Sequence, residues 1–466
     1  MTVSRLSNTI RLLPLLILLI TPMTTEARQY TANPADYRLQ LKKLQAGDQL
    51  LLSPGIYTQG LPIHHFKGQP DAPIVITGPA EGQRAIFIGR SGHNTISIID
   101  SHHVTIRYLQ LDGRSLPVDG VKCEGHATWA HHITLEHLLI ERHDYNQQIV
   151  AISTKCPAWN WTIRHNIIRN TGTGLYLGNS DGSAPFIAGL IEHNLVTDTL
   201  GYNLQIKHQR ERPVIDGMPQ QNAVTLIRHN VFAKASQNRD PAMARPNVLL
   251  GHWPLDGSGK NDRYLVYGNF FYENTQEALF QGEGNIALYN NLLVNHHGNG
   301  MHIQPHHDIP REIHIFFNTV LANGAGIHYT SGNRSESIRP VITSNLIFAQ
   351  PASVITRGST CNNFEGTYSH ADKFLANPFA PPGQLDLSPL PAKQSEISAG
   401  QNSPCKGLQN FSHGQFDFDG NISINRMGAY AHGKPVKWSP QLTVKPDITH
   451  PSRSEGSNRP EPSLTR

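Results

Sequence analysis

The sequence predicts an all-β protein, a single-stranded right-handed parallel β-helix of about ten coils with long loops on one face. A six-residue segment, usually with Asn near its centre, recurs along the chain. A second strand-like segment of four to six residues lies between successive copies, and helical periodicity is absent from the same region. Short strands recurring every two to three dozen residues are typical of a solenoid, because one coil cannot bury its apolar face alone.

The recurring segment aligns in nine copies. Its shared position is occupied by Leu109, Leu138, Asn166, Asn194, Asn230, Asn269, Asn291, Asn318 and Asn345. Most intervals between these positions are 22 to 29 residues, but two consecutive intervals are 36 and 39 residues. We interpret the Asn residues as structural, because stacked amides can form a hydrogen-bonded ladder and Asn is favoured in turns.

Composition divides the chain into four parts. Residues 1–27 combine a basic start, the apolar run LLPLLILLI and a small-residue end, which predicts a signal peptide and an exported protein, periplasmic or extracellular. We expect the β-helix over 33–350, C-terminal coils and a cap over 351–433, and a disordered tail over 434–466. No second long apolar stretch follows, so we expect no integral membrane segment in the mature chain.

Charge and cysteine content limit the partners. The formal net charge is only +4 with His neutral, so an exported chain of this kind is not expected to bind nucleic acid. We expect a monomer. The four cysteines permit two disulfides in an oxidising compartment, and the most local of three pairings joins Cys123 to Cys156 and Cys361 to Cys405. Their spacing does not indicate zinc.

Two sequence blocks resemble a known superfamily. The opening AGDQLLLSPGIY followed by PDAPIVITGP, and the ending DFDG with RMGAYA, resemble secreted parallel β-helix proteins of the pectate-lyase-like superfamily. Within it, the chain looks closest to alginate lyases, to chondroitinase B-type lyases and to uncharacterised bacterial β-helix repeat proteins. The resemblance covers residues 40–431 and implies a fold. It implies an activity less directly, because β-helices host many chemistries.

The same resemblance suggests where a lyase site would lie. The lyases carry an Ile/Leu-x-x-Lys-Ser segment, which residues 204–208 match except at the Ser, so Lys207 takes the place of their catalytic Lys. Their catalytic Arg follows one coil later, where Gly251 and His252 stand here. The resemblance also implies a possible calcium site. The carboxylates that bind calcium in those lyases lie upstream of the catalytic Lys, and this sequence has no convincing equivalents upstream of Lys207. The paired Asp and Gly-His-Gly motifs of polygalacturonase-type hydrolases are absent.

The two long intervals predict loops beside one strand face, and such loops are frequently functional. We expect side chains in this region to point outward in rows. The catalytic candidates are Lys207, His208, Arg245, His252, Glu277 and Glu283. The substrate-binding candidates are Asn203, Gln205, Arg210, Arg212, Asn247, Trp253, Gln281, His302, Gln304 and His306.

These residue types fit the needs of proton abstraction at C5 of a uronate. The reaction requires a cation on the carboxylate, a base for the C5 proton and an acid for the departing oxygen. Lys207 beside His208, Arg210 and Arg212 offers a base and positive charge, because cationic neighbours lower the pKa of a Lys. Arg245 offers a two-pronged clamp. The sequence therefore predicts a lyase or C5-epimerase acting on an acidic polysaccharide.

Other functions remain open on sequence grounds. Glu277 and Glu283 could form the carboxylate pair of a glycoside hydrolase. A non-catalytic glycan-binding surface protein is another alternative, although the face carries few aromatic residues for stacking on sugars. A divalent metal could bind among His302, His306, His307 and Asp308, but Pro305 interrupts regular ligand geometry, and we assign no metal.

Overall fold

Three parallel β-sheets run along the molecule, and the chain visits them in the same order in each coil. The computed structural model describes residues 27–234, 243–332, 340–355, 359–398, 411, 414–423 and 426–448. In the three long sheets every strand pairs in parallel with its counterpart in the neighbouring coil. The predicted right-handed parallel β-helix is confirmed, and eleven described strands in one sheet agree with the expected number of coils.

We name the sheets A, B and C in the order in which a coil passes through them. Sheet A consists of Gln29–Ala32, Gln49–Leu52, Ile74–Thr77, Ser101–Arg107, Ala130–Glu136, Ala158–Trp159, Thr162–Arg164, Phe186–Ile187, Leu190–Glu192, Val224–Arg228, Arg263–Tyr267, Gly284–Tyr289, Pro310–Phe316, Val341–Thr343 and Ser359–Cys361. Sheet B consists of Gly55–Tyr57, Ala85–Ile88, Leu109–Asp112, Leu139–His143, Ile167–Thr171, Leu195–Thr199, Val231–Lys234, Phe270–Asn274, Leu292–Asn295, Thr319–Ala322, Leu346–Phe348 and Phe364–Gly366. Sheet C consists of Leu61–His64, Ile96–Ile99, Val121–Cys123, Val150–Thr154, Thr173–Leu177, Leu204–Ile206, Val248–Leu250, Phe280–Gly282, Met301–Ile303, Ile327–Tyr329 and Ser353–Ile355.

Apolar side chains stack along the axis inside the three sheets. In sheet C, Ile152, Leu175, Leu204 and Val248 occupy equivalent positions in successive coils and are fully buried. Each such side chain stabilises the fold by about 2 kcal/mol when it leaves water. Because the partner of each residue lies in the next coil, the register is repeated from one end of the solenoid to the other.

The Asn residues form the predicted ladder at the turn from sheet A to sheet B. The Nδ2 of Asn194 donates to Oδ1 of Asn230 at 2.9 Å and to the carbonyl of Ile163 at 2.8 Å. The same Oδ1 of Asn230 accepts the backbone N–H of Asn194 at 3.0 Å. The residue before each Asn is left-handed, as at His193 with φ of 50°, and this conformation redirects the chain into sheet B. Comparable contacts continue along the ladder to Asn363.

Small elements cover the ends and one face. The helix Tyr37–Leu41 closes the N-terminal end with two buried side chains, Tyr37 and Leu41. Two 3-10 helices, Tyr368–Lys373 and Pro391–Lys393, the helix Gln394–Ser398 and an antiparallel pair, Leu375–Asn377 with Asp386–Pro389, follow the last coil.

The predicted disordered tail is wrong over residues 434–448. Trp438 is 6% exposed and packs with apolar residues of sheet B, including Phe270. Lys445 is fully buried, and its Nζ donates to the carbonyls of Gly268 at 3.0 Å and Phe418 at 2.8 Å. Composition misled here because a Pro- and charge-rich segment can still place a few large side chains against an existing apolar face. Residues 449–466 lie outside the described residues.

One of the predicted disulfides is present. Cys123 is bonded to Cys156, which joins two successive coils. Cys361 is also disulfide-bonded, and its predicted partner Cys405 lies outside the described residues. The predicted signal peptide likewise lies outside them, apart from residue 27. None of the helices within the described ranges has the length and apolar character needed to cross a bilayer.

Candidate functional site

A groove of about 720 Å³ lies along the outward face of sheet C. Its floor is formed by residues in register from successive coils: Lys122, Tyr176, Gln205, Leu249 and Gln281. Ser153 occupies the same row between Lys122 and Tyr176 but is fully buried. Arg245 borders the groove where the chain enters sheet C, and His306 and His307 border it where the chain leaves. Arg245 belongs to the loop in the interval of 39 residues between Asn230 and Asn269, and His306 and His307 belong to the segment after Ile303.

Two lysines lie beside this row, one coil before and one coil after a glycine. Lys155, Gly178 and Lys207 each follow the last residue of their strand in three successive coils. A side chain at Gly178 would meet the Cβ of Lys207 at 3.3 Å, so the glycine leaves the space between the lysines open. The Nζ of Lys155 lies 3.5 Å from the ring centre of Tyr176, and the Nζ of Lys207 lies 6.0 Å from it.

Burial changes the acidity of these groups. It lowers the pKa of Lys155 to about 8; the charge of Asp119 opposes this shift, and the charges of Lys122 and Lys207 act with it. Burial also lowers the pKa of Lys207, although the charge of Glu283 opposes this shift. The pKa of Tyr176 is raised by burial, and its hydroxyl lies 3.0 Å from the hydroxyl of Ser180. The site therefore holds one amine, Lys155, with a pKa of about 8 beside a phenol that keeps its proton.

A group of imidazoles lies next to Lys207. The ring centres of His208 and His307 are 4.1 Å apart, and those of His208 and His252 are 5.4 Å apart. Burial lowers the pKa of His208 to about 4, with the charges of His307 and Lys207 contributing. His252 is only 6% exposed, and its Nδ1 donates to the carbonyl of Trp253 at 2.7 Å. The structure thus brings Lys207, His208 and His252 together.

Arg245, Gln205, Glu277 and Gln281 also line the groove. Gln281 donates from Nε2 to Oε2 of Glu277 at 3.1 Å. Tyr202, which stands beside Arg245 and Glu277, has a pKa raised by burial. These side chains give the border of the groove one cation and several polar groups that can hydrogen-bond to sugar hydroxyls.

The expected rows were wrong at two points. Asn203 and Asn247 are fully buried and cannot contact a substrate; the Nδ2 of Asn203 donates to the carbonyl of Ala233 at 3.2 Å. The segments NVLLGH and EALFQG, aligned from their first residues, place Leu279 beside Leu249, whereas in the structure Gln281 lies beside Leu249, two residues further along the strand. Asn side chains can turn inward here because the corner between sheets B and C exposes backbone carbonyls that need donors.

Three further candidates are buried inside the protein. Glu283 is fully buried, so Glu277 and Glu283 do not face each other as a hydrolase pair. Arg212 forms a fully buried ion pair with Asp262, which ties the two long loops together. Trp253 is 2% exposed and stacks on Tyr264 with ring centres 4.2 Å apart. Each was expected to contact a substrate, and each is buried instead. The sequence does not show which side chains in a loop find a buried partner.

The remaining candidates lie at or beyond the borders. Arg210 is exposed, on the loop after His208. His302 lies on the floor row two coils beyond Leu249, where its ring faces His328 at 5.0 Å. Gln304 is half-buried after the same strand. Neither His302 nor Gln304 lines the groove, whereas His306 does.

Sequence reasoning missed Lys122, Lys155 and Tyr202. Lys155 follows the segment VAIST just as Lys207 follows NLQI, so extending the row by two coils would have found it. Lys122 pairs with Asp119 at 3.2 Å and adds another cation one coil earlier. Tyr202 lies in a turn and carries no sequence signal that points to the groove.

A second basin of about 690 Å³ continues the groove toward the N-terminal end. Both basins share Asn94, Pro117 and Lys122 in their linings. Arg38 and Arg90 line the second basin, together with Glu124. The face of sheet C therefore offers a continuous and mainly cationic channel over several coils.

The carboxylates of the groove do not form a calcium cradle. Asp119 is paired with Lys122, Glu277 accepts from Gln281, and Glu283 is directed at backbone N–H groups. Calcium needs several converging oxygen ligands. Within the described ranges, three or more His, Cys, Asp or Glu side chains come together for a metal at one place, His103, His131 and His132, which belong to sheet A.

Known proteins resemble this chain in fold. No protein-family model and no curated protein matches it. A GH136 lacto-N-biosidase from Eubacterium ramulus aligns with 73% of this chain and 68% of its own, at 13% identity and a TM-score of 0.48. An alginate lyase from Paenibacillus sp. aligns over 73% and 98%, at 14% identity and 0.37. The A-module of the Azotobacter vinelandii mannuronan C-5 epimerase AlgE4 aligns over 72% and 89%, at 12% identity and 0.44. The expected likeness to parallel β-helix proteins is confirmed, and at these identities it concerns the fold alone.

Proposed function

We propose that this protein is a carbohydrate-active enzyme that abstracts the C5 proton of a uronate residue in an acidic polysaccharide, as a lyase or a C5-epimerase. The observation that carries the proposal is the pair Lys155 and Lys207, held on either side of Gly178 beside the open groove. Within the described part of the chain, neither lysine has a carboxylate within ion-pair distance. Half-buried amines that no carboxylate contacts directly are suited to proton transfer or to binding an anion.

The pKa values divide the roles between the two lysines. Lys155, with a pKa of about 8, is the better base because a larger fraction of it is neutral at the pH of the reaction. Lys207 and Arg245 line the same groove and neutralise the substrate carboxylate, which stabilises the negative charge that develops when C5 loses its proton. Lys207 thus keeps a catalytic role, although the base assigned to it from sequence passes to Lys155.

Tyr176 is suited to deliver a proton because its phenol stays protonated at neutral pH. In a lyase, the C5 proton passes to Nζ of Lys155, the bond from C4 to its oxygen breaks, and Tyr176 protonates the leaving oxygen as the C4–C5 double bond forms. In an epimerase, no bond to C4 breaks, and a proton returns to C5 from the opposite face.

The charge distribution supports a polyanionic substrate. Four cations, Lys122, Lys155, Lys207 and Arg245, line the groove against two carboxylates, Asp119 and Glu277, and Lys122 pairs with Asp119. A channel with an excess of one charge sign concentrates a polymer of the opposite sign. The predicted signal peptide would place this reaction outside the cytoplasm, where such polymers are found.

The test follows ultraviolet absorbance of unsaturated uronate during incubation of the mature protein with a panel of acidic polysaccharides. Lys155→Ala and Lys207→Ala are the test variants, and Lys42→Ala, an exposed lysine of the N-terminal cap, is the matched control. We expect absorbance to rise with the native protein and the control and to fall at least about 100-fold in rate with each test variant.

The epimerase arm uses the same reactions run in deuterium oxide. Incorporation of deuterium at C5 without a rise in absorbance identifies an epimerase. Neither absorbance nor deuterium on any substrate with the native protein would count against proton abstraction. Equal activity in Lys155→Ala and the native protein would remove the base that we assign.

A further inference from the structure

Three histidines converge on the outer side of sheet A, away from the groove floor on sheet C. His103 lies in the strand Ser101–Arg107, and His131 and His132 lie in the strand Ala130–Glu136 of the next coil. One ring nitrogen from each of the three can be chosen so that all lie within 4.8 Å of one another. All three side chains are half-buried, so an ion from solvent can reach them.

The three rings are held in two stacked columns. His131 lies between His102 and Trp159, with ring centres at 4.9 Å and 4.4 Å and nearly parallel planes. His103 stacks on His132 at 4.3 Å. The planes of the two columns are close to perpendicular, 78° between His131 and His132. Stacking restricts the rotation of each ring, so the convergence of the nitrogens is built into the coil geometry.

The backbone and a neighbouring amide add to this arrangement. His103 and His132 both have left-handed backbone, with φ of 50° and 52°, which β-strand residues rarely adopt. The Nε2 of His132 lies 3.0 Å from the amide Nδ2 of Asn160. A half-turn of that amide offers its oxygen to an Nε2–H, and this is how outer groups fix a metal-binding imidazole.

We propose that His103, His131 and His132 form a binding site for a divalent transition-metal ion of the zinc type. The Nδ1 atoms of His131 and His132 are 2.7 Å apart. Two nitrogens bound to one zinc ion stand about 3.3 Å apart, which follows from bonds of about 2.0–2.1 Å and tetrahedral angles. The two nitrogens therefore need to separate by about 0.6 Å to share one ion, and the third nitrogen lies within 4.8 Å of both.

The donor set selects the class of ion. Imidazole suits zinc, nickel and copper, whereas calcium and magnesium prefer oxygen. None of the three rings forms an ion pair with a carboxylate within the described ranges, so no oxygen ligand competes at the site. The site does not depend on the proposed function, because its residues lie on sheet A and do not line the groove.

The test titrates the full mature protein, free of any histidine tag, with zinc chloride in a calorimeter near neutral pH. We expect one equivalent to bind to the native protein. The variant with His131→Ala and His132→Ala should bind it at least tenfold more weakly. The matched control carries His137→Ala and His165→Ala. It removes two other stacked imidazole rings, with centres 5.0 Å apart, and leaves the proposed ligands intact.

A second readout needs no variant. Copper(II) quenches the fluorescence of a nearby indole, and Trp159 stacks on His131. Zinc added first should protect this fluorescence from copper. Absence of a one-equivalent event in the native protein, or equal binding by the His131/His132 variant when its melting temperature without metal is unchanged, would overturn the proposal. A variant that melts early is replaced by His103→Gln, which removes one ligand from the more exposed column.

Discussion

The carboxylate of Glu283 holds the backbone at His307. Its Oε2 accepts the backbone N–H groups of His306, His307 and Asp308, each at 2.9 Å. Glu283 is fully buried, and it follows sheet C one coil after Gly251. Three backbone donors thus converge on one side-chain oxygen. This residue therefore shapes the border of the groove and positions the imidazoles beside Lys207.

Glu283→Ala should destabilise the protein by about 3 kcal/mol, because three backbone donors lose their charged acceptor. Urea unfolding followed by fluorescence measures the loss. Glu277→Ala, a half-buried carboxylate with one side-chain hydrogen bond, should cost less than about 1 kcal/mol. Equal losses in both variants would contradict the structural role of Glu283.

The rate of proton abstraction should rise with pH through about 8. The pKa of Lys155 is lowered to about 8, and only its neutral form accepts a proton. Below that value kcat/KM should fall about tenfold for each pH unit, and above it the rate should level off. A profile between about pH 6 and about pH 9.5 tests this. Lys155→Arg keeps the charge and should lose the rise; an unchanged profile would assign the base elsewhere.

Asn230→Ala should lower stability by about 3 kcal/mol, because it leaves the donors of Asn194 and the carbonyl of Ile191 without a partner in a fully buried site. Thermal or urea unfolding provides the measurement. Asn363→Ala is the matched control at the end of the ladder, where the side chain is half-buried and water can replace it. We expect the control to lose less than half as much.

Reduction of the bond between Cys123 and Cys156 should lower stability by about 4 kcal/mol, from the loop of 33 residues that the bond closes. The variant Cys123→Ala with Cys156→Ala, measured under oxidising conditions, isolates this bond from the one at Cys361. Cys156 is the residue after Lys155, so we also expect reduced activity in the groove. Full activity with lowered stability would separate the two effects.

Truncation after residue 448 and truncation after residue 433 should differ. The shorter chain loses the contacts of Trp438 and Lys445 with sheet B, and we expect a loss of at least about 3 kcal/mol. The longer chain should melt within a few degrees of the full protein, since residues 449–466 keep the predicted tail composition. Melting temperatures of the two truncated chains give the comparison, and identical values would contradict the packing of residues 434–448.

Part of the candidate site could be predicted, but part could not. Lys207 and His208 follow a recognisable strand, and their place beside the groove follows from the alternation of side chains. Lys155 could have been found by the same rule applied to earlier coils. Glu283 and Trp253 could not, because the sequence does not tell whether a residue just past a strand turns toward solvent or toward backbone donors.

The sequence by itself determined the parallel β-helix, its coil number and the Asn ladder, because each depends on a period repeated along the chain. It left three pairings of the four cysteines open, and the structure shows the bond between Cys123 and Cys156. Only the tertiary structure decided which polar side chains line the groove and where the C-terminal segment lies. Those outcomes depend on register between coils of unequal length and on buried partners far apart in sequence, such as Arg212 with Asp262. A local sequence pattern contains no information about the register between coils or about buried partners that are distant in sequence.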